Sequence, residues 1–391
     1  MYIRIMQTRQ GNERLRGKIM EMVKQGQKTL QAASVELGIS YRQAKRVYQQ
    51  YLKGGDEALT HGNKGRPSNH RIDTSLVEYA LFLYKEHYSD FGPTFAQEKP
   101  AGRDGVQIGV STLRRALMAA GLWKPKRNGN EYRSRREPRE RFGELIQFDG
   151  SHHDWFEGRS GRCCLITMID DATKIRLSQF YEEETMFGAM KVLKMWLEAY
   201  GIPEFLYCDK KNAFVLTREP TDNELLQGIT KPKSHFGRAC ERLGIEVIAA
   251  NSPQAKGRVE RNHGTDQDRL VKELRLAGIS AIEQANGFLL ETYLPYMNDK
   301  FKRLPKKTDN AHVKLGSISL DDILCMEHDR KVSKDYIVRF ECRLFQILPE
   351  AKVKPRPGDM VIVRVRLDAS VVILWKNKPL PVREIKTMFD D

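Results

Sequence analysis

The first 162 residues contain no cysteine, and the six that follow (Cys163, Cys164, Cys208, Cys240, Cys325 and Cys342) form no C-x-x-C pair. This spacing excludes a disulfide framework and a cysteine-based zinc module, so no zinc is predicted. Long apolar runs are also lacking, and no membrane-spanning helix is expected. The opening stretch, MYIRIMQTRQ, lacks the apolar segment of a signal peptide, which makes the cytoplasm the expected location. Acidic residues are scarce at one end. Residues 1–142 hold 27 Lys plus Arg against 14 Asp plus Glu, so 27 − 14 = +13 of the total +15 lies there. A solvated surface could account for a high net charge. Its concentration in one third of the chain points instead to a polyanionic partner, with nucleic acid as the first candidate. At 391 residues the chain exceeds one ordinary core, and two to four domains are expected.

Residues 1–60 carry the pattern of a helix-turn-helix domain. In KTLQAASVELGISYRQAKRVYQQY, Thr29 suits a helix cap, Gly38 and Ile39 make a turn, and Ser40 with Gln43 forms a capping-box pattern. Leu30, Ala33, Leu37, Ile39, Ala44, Val47 and Tyr51 share the inward faces at helical spacing. Arg42, Gln43, Lys45 and Arg46 are left outward, where a recognition helix meets a major groove; a three-helix protein-binding module fits the same pattern. Residues 61–72 form a Gly/Pro linker in which Lys64 and Arg66 suit a minor groove or a loose phosphate contact. Residues 73–123 read as a second helix-turn-helix-like domain. Its last helix opens at Ser111, carries Arg114 and Arg115, and closes at Gly121. Residues 124–143, with Arg135 and Arg136, are a basic linker suited to lie along phosphates, or to remain solvated.

From residue 144 to 277 the pattern becomes that of an α/β core. ELIQFDG is a short strand, RCCLITMIDDA and KIRLSQFYEEE are hairpin strands, and Thr185–Tyr200 is an amphipathic helix. Then come the strand EFLYCD, a polar insertion near 217–234, a helix near 236–243, the strand EVIAA and a long helix that begins within NSPQAKGRVER. Residues 278–329 read as a helical connector and linker, with FKRLPKKTDNAH as its most open part, and 330–391 as a small β-barrel.

Asp149 and Asp209 stand at the ends of the first and fourth core strands, and Glu260 stands in the helix after the fifth. Strand ends and helix starts of an α/β core converge on one edge. Three unpartnered acids would repel each other there, whereas Mg²⁺ or Mn²⁺, with two ions expected, would resolve the conflict and support phosphoryl transfer. Lys256, Arg258 and Arg261 surround Glu260 and would hold phosphates. His152 and His153 are adjacent on a strand and face opposite ways, which argues against one shared metal site. Asp170 and Asp171 read as a turn, the acids at 182–184 as a helix lead-in, and Cys163, Cys164 and Cys208 as small buried hydrophobes.

QFDGSHHDWFEGR, MIDDATKI, YGIPEFLYCDKKNAF and NSPQAKGRVERNHGTDQDRLVKELRL together resemble the integrase-like DDE transposases of bacterial insertion sequences, most closely the ISNCY-type group. The resemblance spans the whole order of parts. It implies helix-turn-helix domains, an RNase H-like mixed α/β core and a C-terminal barrel. It also implies metal-dependent nicking of double-stranded DNA at transposon ends and strand transfer into target DNA. Asp149, Asp209 and Glu260 would be the catalytic metal ligands. A bacterial, nucleoid-associated homo-oligomer, at least a dimer, is the expected form. The interval from Asp209 to Glu260 is longer than in the best-known integrases, and the polar insertion accounts for the excess. A DNA-binding regulator with an inert core, and an RNase H-like nuclease that cuts without joining, remain as alternatives.

Overall fold

The computed structural model describes residues 9–60, 72–103, 105–125, 137–209, 219–220, 225, 230, 232–250, 257–350 and 354–385. The chain divides into two compact units, Met1–Asn128 and Gly129–Asp391.

In the first unit, α1 (Arg9–Lys24), α2 (Leu30–Glu36) and α3 (Tyr41–Ala58) enclose Ile19, Met20, Ala33 and Val47. The expected caps form: Thr29 Oγ1 accepts from Ala32 N at 3.2 Å, and Ser40 Oγ accepts from Gln43 N at 3.2 Å. Each satisfies a backbone donor that the first helical turn leaves open. Gly38 turns the chain at φ +62, a conformation open to glycine without steric cost. Next come α4 (Thr74–His87), capped by Asp73, α5 (Pro93–Arg103) and α6 (Val110–Ala119). The last begins one residue ahead of the expected Ser111, behind Gly109, and Gly121 terminates it at φ +69.

The second unit is built on a mixed sheet. Its elements are β1 (Leu145–His153), β2 (Cys163–Asp170), β3 (Arg176–Tyr181), α7 (Met186–Tyr200), β4 (Phe205–Asp209), α8 (His235–Arg242), β5 (Glu246–Ala250) and α9 (Gly257–Leu276). The strand order is β3-β2-β1-β4-β5, antiparallel up to β1 and parallel beyond it. Helices α7 and α8 cover one face, where Trp196, Leu193 and Phe236 meet Phe148 and Ile166. Helix α9 covers the other, where Leu270 and Leu274 meet Trp155, Leu165 and Phe180. Strand β2 is buried along its whole length, and CCLITMID is accordingly apolar except at Thr167 and Asp170. The polar insertion near 217–234 falls mostly outside the described residues.

β1 continues past the expected end at Gly150, because His152 and His153 pair with Cys164 and Cys163. Asp149 is therefore inside the strand rather than at its end, a correction to the sequence reading.

Beyond α9 the chain forms α10 (Ile282–Phe288), a π-helical turn at Leu289–Tyr293 and α11 (Leu294–Phe301). Pro295, without an N–H, stands just after the widened turn. The stretch expected to be most open is instead strapped to the core. Ala311 N donates to Phe142 O at 2.8 Å, and Ile202 and Val313 exchange two bonds of 2.8 Å. His312 lies against Phe142, Trp196 and Tyr200. Its hydrophilic sequence conceals this docking.

After α12 (Leu320–Ile323) come β6 (Cys325–Lys331), β7 (Ile337–Phe340), β8 (Arg343–Ile347), β9 (Met360–Arg366), β10 (Val371–Trp375), β11 (Lys378–Pro379) and β12 (Val382–Ile385). They form two antiparallel sheets, β11-β10-β9-β6 and β12-β8-β7, over a shared core that includes Val338, Phe345, Val363 and Ile373. The expected β structure is present, but among the described residues its pairings are those of two sheets and not of one closed barrel. β6 also begins ahead of residue 330. There Glu327, with a side chain 5% exposed, accepts two 2.8 Å bonds from Arg242 of α8 and one of 2.9 Å from Arg364 of β9.

Candidate active site

Parallel pairing of β1 with β4 sets the site. Leu145 stands opposite Phe205, Ile146 opposite Leu206 and Gln147 opposite Tyr207. Asp149 and Asp209 each lie two residues beyond the last pair, so their backbones stand level on neighbouring strands. The opposite neighbour of Asp149 is Thr167 of β2.

Helix α9 is fastened over this point by side chains of β1. Gln147 Oε1 accepts from Val259 N at 3.2 Å, and Ser151 Oγ accepts from Gln267 Nε2 at 3.1 Å. Between these two attachments, His263 Nδ1 stands 3.7 Å from Asp149 Oδ2, with the two side chains 8% and 19% exposed. Glu260 lies one residue after Val259 and about one turn before His263, and it is exposed. Val259, the residue before Glu260, is thus bonded to Gln147, two residues before Asp149 on β1. Residues 251–256 are outside the described set, including Ser252, Pro253 and Lys256.

Asp170 and Asp171 do form the expected turn, but both are fully buried and brace the site. Asp171 accepts from Gln147 Nε2 at 2.8 Å, from Arg258 Nε at 2.6 Å and from Arg139 N at 2.8 Å. Gln147 therefore receives one bond from α9 and gives another to the β2–β3 turn. Asp170 accepts from Thr173 N and Oγ1, each at 2.6 Å, and from Gly143 N at 3.0 Å. Burial raises its pKa above the usual aspartate value despite these bonds.

The cations singled out in the sequence have different fates. Arg42, Gln43, Lys45 and Arg46 are exposed on α3, and Arg114 and Arg115 are exposed on α6. Arg258 is committed to Asp171, with a side chain only 14% exposed. Its expected place on a phosphate is taken by this buried partner. Arg261 Nε donates back to Gly257 O. Lys64, Arg66, Arg135 and Arg136 lie outside the described residues. On the other face of β1, His152, Cys164 and Glu184 offer ligand atoms within 4.8 Å of one another, while His153 packs edge-on against Trp155 at 5.4 Å. The two histidines are indeed separated. Cys163, Cys164 and Cys208 are buried, as expected.

The residues missed in the sequence are Gln147, Asp171 and His263 as site organisers. His263 had a usable signal in its spacing of three from Glu260. Gln147 had none, because a lone glutamine in a strand is commonplace.

A helix-turn-helix domain family matches residues 15–68. Over 368 residues, 93% of this chain and 79% of the relative, the sequence is 37% identical to the "Putative transposase y4bF" of Sinorhizobium fredii (strain NBRC 101917 / NGR234). It is 30% identical over 370 residues to the "Transposase for insertion sequence IS1202" of Streptococcus pneumoniae, covering 85% of this chain and 78% of that one. Among solved structures, the HTLV-2 integrase catalytic core domain in complex with magnesium overlays at a TM-score of 0.29 and 18% identity, over 39% of this chain and 85% of that chain. The simian T-cell lymphotropic virus intasome in complex with PP2A regulatory subunit B56 gamma overlays at 0.33 and 13% identity, over 79% and 95%. These overlays are loose. The near full-length relatives are sufficient: this chain belongs to the insertion-sequence transposase family.

Proposed function

We propose that this transposase binds the terminal inverted repeats of its element and catalyses metal-dependent strand cleavage and strand transfer, with Asp149, Asp209 and Glu260 as metal ligands. The observation that carries this reading is the level register of Asp149 and Asp209, with α9 bonded to β1 at the residue before Glu260. The donor set fits the group: all three residues are carboxylates, and hard oxygen donors suit Mg²⁺ or Mn²⁺. One or two ions held there would supply Lewis-acid activation of the attacking hydroxyl and charge stabilisation at the leaving oxygen. His263 Nδ1 faces the Asp149 carboxylate at 3.7 Å from the helix side, and Gln147 fixes the start of α9 so that Glu260 keeps its position. Arg261 and Lys256 would meet phosphates, whereas Arg258 is taken by Asp171.

End recognition falls to the helical modules. The exposed Arg42, Gln43, Lys45 and Arg46 of α3 read the major groove, while Arg114 and Arg115 of α6, with Lys64, Arg66, Arg135 and Arg136, contact the backbone. A homo-oligomer pairs the two ends on cytoplasmic, nucleoid-associated DNA. Among the described residues no helix is long and apolar enough to cross a membrane.

Labelled duplex carrying the repeats that flank the gene, incubated with Mg²⁺, tests this reading. The parent should release 3′ ends and join them to target DNA, and Asp209→Asn should bind without either product. Binding without chemistry by the parent would favour the regulator, and cleavage without joining would favour the nuclease.

A further inference from the structure

We propose that a cavity between the β2–β3 turn and the outer flank of α9 binds one phosphodiester group of the DNA strand engaged at the carboxylate site. This rests on the DNA end-binding reading above and adds to it a defined phosphate pocket. The cavity is about 250 Å³, and its polar lining is Lys174, Arg176, Arg258, Arg261, Asn262 and Thr265. That volume is below the usual span of small-molecule sites and suits a single oxyanion better than a whole nucleotide.

The charge balance points the same way. Among the described residues, four that line the cavity are cations and none is a carboxylate. Two cations are matched behind the wall: Arg258 by Asp171 at 2.6 Å, and Arg176 by Asp266 at 3.0 Å. Among the described residues no carboxylate pairs with Lys174. The charges that act on it are Arg303, Arg258 and Arg261; burial first, and then their repulsion, lower its pKa below the usual lysine value. The backbone of Arg303 is tied to the same turn, donating to Thr173 O at 2.8 Å.

Lys174 is also held there at a conformational cost. Its φ is +66, a left-handed conformation that a lysine rarely adopts. Asp170 enforces the turn by accepting from Thr173 N and Oγ1, while Lys174 N donates to Asp170 O at 3.0 Å. A lysine crowded by Arg303, Arg258 and Arg261, with no acid among the described lining residues, makes an anion the ligand that suits the site. The wall residues Arg258, Arg261, Asn262 and Thr265 recur at helical i, i+3, i+4 and i+7 spacing, one face of α9. Glu260 lies on the adjoining flank, so a strand that reaches the carboxylates passes Arg261 and Lys174.

The test uses the full-length protein and duplexes of its terminal repeat, each with one backbone phosphate replaced by an uncharged methylphosphonate. In the parent, one position should weaken binding several-fold. In Lys174→Gln, binding should be weaker throughout and indifferent to that position, with the slope of log K against log salt reduced by about 0.9. Lys314→Gln, an exposed lysine of the same unit, should retain the parental sensitivity. Tight binding by the parent with no position coupled to Lys174 would overturn the pocket and leave the end-binding reading intact. Failure of the parent to bind the repeat would sink that reading and the pocket with it. Stabilisation of the parent, but not of Lys174→Gln, by inorganic phosphate without any coupled position would identify a free-anion site and also overturn the proposal.

Discussion

Asp266→Asn is the most informative perturbation of the scaffold beneath Glu260. Asp266 is 1% exposed, and Arg176, its ion-pair partner at 3.0 Å, is 4% exposed. Its carboxylate also accepts from Asn262 Nδ2 and Tyr293 OH, each at 2.8 Å. Burial and then the Asp266 charge raise the Tyr293 pKa well above the usual phenol value, so the hydroxyl remains a donor. The group links α9, β3 and the π-helical turn less than two helical turns from Glu260. Breaking a buried pair at one end costs roughly 3–5 kcal/mol, since the remaining charge stays buried. Asparagine keeps the shape and an acceptor oxygen, which places the expected loss near the lower end, about 3 kcal/mol. For a unit of this size that is a fall in Tm of roughly 6–12 °C. Guanidinium unfolding followed by tryptophan fluorescence measures the loss directly. Tyr293→Phe should cost about 1.5 kcal/mol, and the double variant less than the sum, because both remove one shared network. An Asp266→Asn loss below about 1 kcal/mol would refute the reasoning.

Three further outcomes follow from the same structure. Glu327→Ala should loosen the C-terminal sheets from α8 and lower stability by roughly 2 kcal/mol, discounted from a fully buried pair because Arg242 is 42% exposed; limited proteolysis should then cut first between residues 302 and 330. Gly201→Ala should lower Tm by several degrees, because Gly201 has φ +104 and an added Cβ would stand 2.7 Å from the Val313 carbonyl oxygen; an unchanged Tm would contradict the strap. Burial lowers the pKa values of His235 and His312 to about 4, so below 6.5 the unfolded chain binds more protons than the folded one. Stability should therefore be level above about pH 6.5 and fall as pH drops from there towards 4, with His312→Gln reducing the slope in thermal melts. At His312 protonation would also break the bond that Nε2 accepts from Trp196 Nε1 at 3.1 Å.

The helix caps and the strand pattern of the core could be read from sequence because each rests on neighbours in the chain. Thr29 and Ser40 act within three residues of themselves, and β2 was legible as a strand from its own run of residues. Contacts made across the fold were harder to read. His312 and Val313 sit in a hydrophilic stretch whose docking depends on the rings of Phe142, Trp196 and Tyr200, all distant in sequence. Arg258 looked like a phosphate ligand because its partner Asp171 is 87 residues away and buried. The three acids could be singled out by residue type and order, but the level register of Asp149 and Asp209 required the β1–β4 pairing. The C-terminal alternation gave strands without saying which edges meet, and the pairing proved to be two sheets.

The most direct measurement of the central claim is strand transfer in Mg²⁺ at saturating repeat DNA by Asp149→Asn, Asp209→Asn and Glu260→Gln, each shown to be folded and to bind DNA as the parent does. If the three carboxylates form one metal site, joined product should be lost from every variant while DNA binding is unchanged. Joining at the parental rate by any one of them would contradict the site.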